Sequence, residues 1–301
     1  SVIYSNVNSW LNENTLTYDK RFNENQHLNV VAGITEQEVH TSTYGSAANQ
    51  LPGQATNVSW LSSGTPTSIT SNASLNSLVS FLGRANYIYH SDYILTASFR
   101  ADGSSKFSPQ NHWSYFPSGA FAWRFGNEPF IRNIKAISEG KLRISYGLTG
   151  NNRVSDFPYL SQYSVSTIQQ GYTWGNVEEP GLIPQTLGNN NLKWETTSQW
   201  DLGLDMGFLY NRINLTADVY KKITKNLLLN ANIPTSYGYS SIFENIGSVQ
   251  NQGLELSINT VNIRKRNFSW NTNFNISFNA SKVLALANNQ NSFFAYAPYD
   301  N

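Results

Sequence analysis

ETTSQWDLGLDMGFLYNRINLTADVYKKI, residues 195–223, reads as two long alternating strands joined by a very short turn. Trp200, Leu202, Leu204, Met206 and Phe208 fall on one face of the first strand, with Asp201, Gly203, Asp205 and Gly207 on the other. After Leu209-Tyr210-Asn211 the pattern restarts, and Ile213, Leu215, Ala217 and Val219 alternate with Arg212, Asn214, Thr216, Asp218 and Tyr220. Alternation at a period of two marks strands with one apolar face. A soluble hairpin rarely needs arms this long, whereas a strand that crosses a bilayer needs roughly 9 to 11 residues with aromatics near its ends.

The composition agrees with that reading. Charged residues make up 13% of the 301 and mean hydropathy is -0.40, so the polarity comes from Asn, Ser, Thr, Gln and Tyr rather than from ions. Aromatics at 14% suit long β-strands with uncharged polar faces and argue against a helical or disordered chain. A net charge of +1 supplies no basic field for nucleic acid, and no aromatic-basic recognition motif overrides that. With no Cys there is neither a disulfide framework nor a thiolate metal site. The sequence starts at Ser1 without an initiator Met or signal peptide, and reads as a processed, cut or partly represented chain. It has no apolar run of helix-spanning length, so a membrane role falls to strands.

Outward from the central hairpin the same pattern recurs. Upstream, strands are expected at 14–22 and 26–38, then at 78–89 and 92–101 with only His90-Ser91 between them. A medium loop, DGSSKFSPQNH, follows with Asp102-Gly103 as its turn signal. Strand 113–125 puts Trp113, Tyr115, Phe121, Trp123 and Phe125 on one face, and Pro117 predicts a bulge or a local gap in the ladder. Residues 126–140 have room for one short helix starting near Pro129, and 141–149 is the next strand. Downstream, 251–263 and 267–279 pair through Arg264-Lys265-Arg266. Residues 39–77, 150–194, 224–250 and 280–301 read as long loops.

With 126–140 on the short-turn side, short and long connections alternate throughout, as they do when one rim carries periplasmic turns and the other external loops. Tyr89, Tyr93, Trp123, Phe125, Phe208, Tyr210, Phe268 and Trp270 fall beside short turns, and Trp113, Tyr115, Trp194, Trp200 and Tyr220 toward the long loops, which predicts two aromatic girdles. Packing in the core of a soluble sheet is the other use for such residues. The fold class is therefore all-β, an antiparallel transmembrane β-barrel of which about ten strands are present.

FRADGSSKF at 99–107, NHWSYFPSGAFAWRFGNEPF at 111–130, KLRISYGLTGNN at 141–152, LGNNNLKWETTSQWDLGLD at 187–205, RINLTADVYKKITKNLL at 212–228 and NIGSVQNQGLELSI at 245–258 resemble the SusC/RagA family of TonB-dependent outer-membrane transporters of the Bacteroidetes type. They stand in the family's order over about residues 99–280, the C-terminal part of its barrel. The resemblance implies one large, plugged barrel domain of which residues 1–301 supply under half the wall. It also implies import of an oligomeric nutrient, a glycan or a peptide, energised through the TonB complex, with a SusD-like surface lipoprotein over the external loops. No plug domain, TonB box or closing terminal strand is recognisable in the 301 residues.

Chemistry beyond transport finds little support. His27, His40, His90 and His112 lack metal-ligand spacing, no Gly-x-Ser-x-Gly elbow or P-loop occurs, and neither an enzyme nor a cofactor is expected. Sequons at Asn57, Asn72, Asn214, Asn267, Asn275 and Asn279 mostly sit in or beside strands, where Asn suits a hydrated lumen. The loop aromatics Tyr163, Tyr172, Trp174, Tyr237 and Tyr239 have two readings, as ligand-binding residues that stack on sugar rings or, the favoured one, as residues that pack the long loops together or against a partner. Arg100, Arg124, Arg143, Asp201, Asp205, Asp218 and Glu255 lie on polar faces and are expected to face the lumen, where pairing with one another or a plug is favoured over substrate binding. Two other functions fit the strands: a passive porin-like outer-membrane channel and a secreted β-sandwich carbohydrate-binding module.

Overall fold

The computed structural model describes residues 1–51, 58–165, 172–175, 177–179, 181–239 and 241–286. Ten strands form one antiparallel sheet: β1 (Val2–Asn23), β2 (Gln26–Asn49), β3 (Thr65–Tyr89), β4 (Tyr93–Ser104), β5 (Trp113–Trp123), β6 (Ile137–Asn151), β11 (Glu195–Phe208), β12 (Ile213–Lys225), β15 (Ser248–Lys265) and β16 (Phe268–Ala285). Each pairs with the next along the chain, and β1 and β16 each have a single partner among the described residues. The loops on one rim carry small hairpins of their own: β7 (Gln162–Val165) with β10 (Leu182–Thr186), β8 (Tyr172–Trp174) with β9 (Val177–Glu179), and β13 (Leu228–Asn232) with β14 (Ser241–Asn245).

Register shows how the alternation becomes two surfaces. Residues directly opposite in an antiparallel pair share a face. Leu28 lies opposite Tyr87, and the row continues through Leu95, Phe121, Ile144, Leu202, Val219 and Leu254 to Phe278. One residue along, the row is Asn29, Asn86, Thr96, Ala120, Ser145, Asp201, Tyr220, Gly253 and Asn279. A one-residue slip in any strand would exchange these faces, so the apolar row fixes the register across nine strands.

Aromatics bound the apolar face at both rims. At the short-turn rim Tyr93 stacks on Trp123 with centroids 6.4 Å apart, and Phe125 and Phe130 close around the same indole. At the long-loop rim Phe81 stacks on Trp113 at 5.9 Å and Phe99 on Tyr115 at 6.0 Å, and Tyr146 packs tilted against Trp200 at 4.4 Å. Two residues expected in the upper girdle lie elsewhere. Trp194 is buried under the long loops, and Tyr220 stands in the polar row, its hydroxyl bonded to Asn279.

Several strands outrun their predicted ends. β1 begins at Val2 rather than near residue 14, β2 runs on to Asn49, β3 starts at Thr65, and β16 continues to Ala285. Up to Asn49, β2 extends about 50 Å past the row of Ile34 and Phe81, at about 3.4 Å per residue. That part of the sheet has water on both faces, so Ser, Thr and Asn carry it without the apolar alternation by which strands are read. Asp102 and Gly103 are also strand, not turn: Asp102 pairs with Ser114 and takes a 2.6 Å ion pair from Arg100, while Gly103 lies against the Trp113 ring. The predicted gap at Pro117 is present. Its β4 side stays in register, and pairing with β6 begins only at Ser118.

The short-turn rim is made by tight geometry. His90 and Ser91 have φ of 51° and 60°, the two-residue turn whose twist matches that of the flanking strands. The predicted short helix is α1 (Pro129–Arg132), with Pro at its first position. Just ahead of it, Glu128 accepts hydrogen bonds from the Tyr93 hydroxyl at 2.7 Å and the Trp123 indole N–H at 3.1 Å. These two donors, the Tyr93 hydroxyl first, favour the ionised carboxylate and hold Glu128 below the usual glutamate range. A folded-state value below the unfolded one stabilises above the unfolded value and is lost as pH falls through the folded one. Trp123 fluorescence should therefore change on acidification through and below the normal carboxylate range, and Glu128→Gln should abolish that change; a transition that survives in the variant would assign it to another group.

Candidate functional site

Two regions gather the polar side chains. The first is the polar face of β6, β11 and β12. Arg143 grips Asp205 with two bonds, Nε to Oδ2 at 2.9 Å and Nη2 to Oδ1 at 3.2 Å, and the same Nη2 reaches Asp218 Oδ1 at 2.8 Å. It does so by lying across Gly203, where any Cβ would collide with the guanidinium and with Asp218. Tyr220 lies over Gly253 in the same manner to reach Asn279. The inward glycines of the alternating pattern are thus the positions that let long polar side chains cross neighbouring strands. Asp201 and Glu255 share this face, opposite Tyr220 and Asp218, without an ion pair among the described residues. Arg100 belongs to a separate node with Asp102 and the buried Ser80 hydroxyl. Arg124 departs from the expectation: β5 ends at Trp123, so Arg124 sits in the short-turn rim and donates to the Ser91 carbonyl at 3.2 Å.

The second region is the long-loop rim. Here Phe107, Phe116, Val154, Leu192 and Trp194 form the buried apolar cluster, where β5 and β6 have stopped pairing. Hydrogen bonds tie the loops around it: Trp194 Nε1 to the His112 carbonyl at 2.9 Å, Ser108 Oγ to the Asn190 carbonyl at 2.7 Å, and Lys106 Nζ to the Val154 carbonyl at 3.0 Å. Asn189 donates to the Phe243 carbonyl, and Asn245 exchanges bonds with the backbone of Lys193. Glu195 accepts from Asn151 and from the Leu228 amide. Sequence reading assigned none of these residues a role except Trp194, in the girdle. The signal was there in the run Gly188-Asn189-Asn190-Asn191, since Asn side chains mimic backbone groups and fasten turns.

Beside this joint lies a concavity of about 1000 Å³ between the extended part of β3 and the loop after β6. Asn72, Asn76, Lys106, Asp156, Gln162 and Tyr163 give it polar groups of both kinds, and Phe157 an apolar ring. Lys106 and Asp156 pair at 3.5 Å on its wall. Of the loop aromatics, Tyr163 lines this concavity and hydrogen-bonds with Tyr239, the contact that chiefly raises the Tyr163 phenol above its ordinary value. Trp174 and Tyr237 are exposed on separate elements, in β8 and in a 3-10 turn, and the Tyr172 side chain lies outside the described residues, as does Asn57.

The family model described as TonB dependent receptor-like, beta-barrel, matches residues 2–300. The chain belongs to this family. A TonB-dependent receptor of Formosa agariphila is 38% identical over 298 residues, covering 98% of this chain and 29% of the relative. The TonB-dependent receptor SusC of Bacteroides thetaiotaomicron is 38% identical over 225 residues, 74% of this chain and 22% of SusC. Among solved structures, the RagAB peptide transporter superposes with a TM-score of 0.85 at 25% identity, over 98% of this chain and 32% of that one. The chain thus spans under a third of the length of the relatives it matches. The SusC/RagA resemblance read from residues 99–280 is borne out and extends over nearly the whole chain. As a member of an outer-membrane barrel family, the sheet crosses the outer membrane with its apolar face toward lipid.

Proposed function

We propose that the chain is part of the wall of a TonB-dependent importer that carries an oligomeric nutrient, a peptide or a glycan, across the outer membrane. The open edges of β1 and β16 pair with the remaining strands of one large barrel, a plug fills its lumen, and a SusD-like lipoprotein covers the long loops. The observation that carries this reading is the concavity at the long-loop rim, because it sits on the loops held by Trp194 and combines amide, carboxylate, ammonium and phenol groups in one hollow. Such groups hydrogen-bond the amides of a peptide or the hydroxyls of a sugar, and Tyr163 offers a ring for stacking. The polar face faces the lumen, where Arg143, Asp205 and Asp218 form a paired lining that a plug or a passing substrate meets. Asp201 and Glu255 lie on the same face without an ion pair among the described residues.

The test uses cells expressing the whole transporter and a panel of labelled oligopeptides and oligosaccharides. Uptake of at least one class should stop when the proton gradient is dissipated, and Tyr163→Ala should raise the concentration needed for half-maximal uptake by several-fold. Uptake that continues without the gradient would instead establish a passive channel.

A further inference from the structure

We propose that the lipid-facing side of β12, β15 and β16 at the long-loop rim is a binding site for a phosphorylated lipid of the outer leaflet. The site lies on the opposite face of the sheet from the transport path and does not depend on what is transported.

Three lysines stand out against the apolar face. Lys221 is in the row of Trp200 and Gln252, so it shares the face of Leu202 and Val219 at the level of the upper aromatic girdle. Lys225 is on the same face of the same strand two steps of the alternation further out, and Lys282 of β16 lies opposite Gln250, in the Ile223 row between them. All three are exposed, and none makes an ion pair among the described residues. With strands about 4.8 Å apart and about 3.4 Å per residue, each lysine is about 12 to 14 Å from the other two, within reach of one headgroup for flexible four-carbon stems. Their immediate neighbours on this face, Thr196, Ser198, Gln250 and Gln252, are neutral, and the two glutamines bond to each other at 3.0 Å. No carboxylate among the described residues pairs with any of the three.

Directly below, toward the membrane centre, is a groove of about 710 Å³ running along the sheet surface. Its walls include Trp200, Leu202, Val219, Leu254 and Phe278, and Lys221 stands at its outer end. Uncompensated cations next to an apolar groove are costly facing hydrocarbon, but at headgroup depth they attract anionic phosphates. The groove below takes an acyl chain while the lysines hold the phosphates above, so headgroup and chain are recognised together. An isolated lysine at this level would simply extend to the interface; two on β12 and one on β16, converging across β15 above the groove that Lys221 lines, give a site.

The intact transporter, reconstituted in phosphatidylcholine nanodiscs containing bisphosphorylated lipid A, gives the test through the lipid A retained after detergent extraction. The combined variant Lys221→Gln, Lys225→Gln and Lys282→Gln should retain at least 10-fold less than the unaltered protein. Filling the groove with Val219→Trp should also lower retention, although it leaves the charge intact. Replacing Arg264, Lys265 and Arg266 at the short-turn rim by Gln should change nothing, and excess inorganic phosphate should not displace the lipid. Folding of each variant is checked by its heat-resistant mobility in detergent. Equal retention by the triple variant overturns the site, and so does an equal loss when the short-turn cations are removed, because that result means unspecific charge attraction.

Discussion

Leu204→Arg is expected to cost the assembled barrel about 2 to 4 kcal/mol in lipid, the penalty for a cation at mid-depth on the outer face of a transmembrane strand. Leu204 lies between Leu142 of β6 and Ala217 of β12, and the row continues through Leu256 to Ile276. On β11 it has Leu202 and Trp200 toward one rim and Met206 and Phe208 toward the other, so an arginine there has the longest path to water at either rim. Unfolding of the full protein by urea in phosphatidylcholine vesicles measures the loss. The neighbouring polar-face change Asp205→Asn provides the contrast: it keeps the shape, weakens one ion pair and should cost much less than the outward charge. If Leu204→Arg unfolds at the same urea concentration as the unaltered protein, the apolar row does not face lipid.

The parts of this fold that were legible in the sequence are those where one face meets lipid and the other water. Trp200 to Phe208 and Phe268 to Phe278 could be read because only one face of each is apolar, and their pairing follows the predicted order. The extensions of β1, β2 and β3 could not be read in this way. In Thr41 to Ala48 there is no face to bury, and the strand is held by its ladder to β1 on one side and β3 on the other. Asp102-Gly103 misled for a related reason: the dipeptide favours turns locally, but here the glycine admits the Trp113 ring and the aspartate pairs across strands. Tertiary packing overrode a local preference.

The polar-face residues were legible by parity, and Arg143, Asp201, Asp205, Asp218 and Glu255 do share one surface. Their partners were not, because which carboxylate an arginine reaches depends on cross-strand register and on a glycine being where the side chain must pass. Arg124 shows the limit of parity, since the strand stops one residue before it. The rim joint was visible only as conspicuous sequence: FRADGSSKF and NHWSYF, close together in the chain, meet the distant LGNNNLKWE and NIGS around Trp194 because each supplies one part of the clasp. The resemblance that these phrases carry is therefore in large part to a structural joint, from which Lys106 reaches into the wall of the neighbouring concavity.

Trp194→Ala puts the largest load on that joint. The indole packs on Phe107 at 5.4 Å and edge-on to Phe116 at 5.7 Å, is 6% exposed, and donates its N–H to the His112 carbonyl. Truncating a buried tryptophan costs about 3 to 5 kcal/mol through lost transfer and the cavity left behind. Because the cluster joins loops rather than the transmembrane ladders, the cost should appear as local opening. Amide exchange should accelerate in residues 105–112 and 187–194, while the strands around Leu204 remain as protected as before. Trp194→Phe restores most of the apolar contact but not the donor, and should lose only about 1 kcal/mol. If the concavity beside Asp156 depends on this clasp, Trp194→Ala should also reduce uptake through the whole transporter without altering its assembly in the membrane. Protection that falls equally across β11 and β12 would show instead that the cluster supports the barrel wall itself.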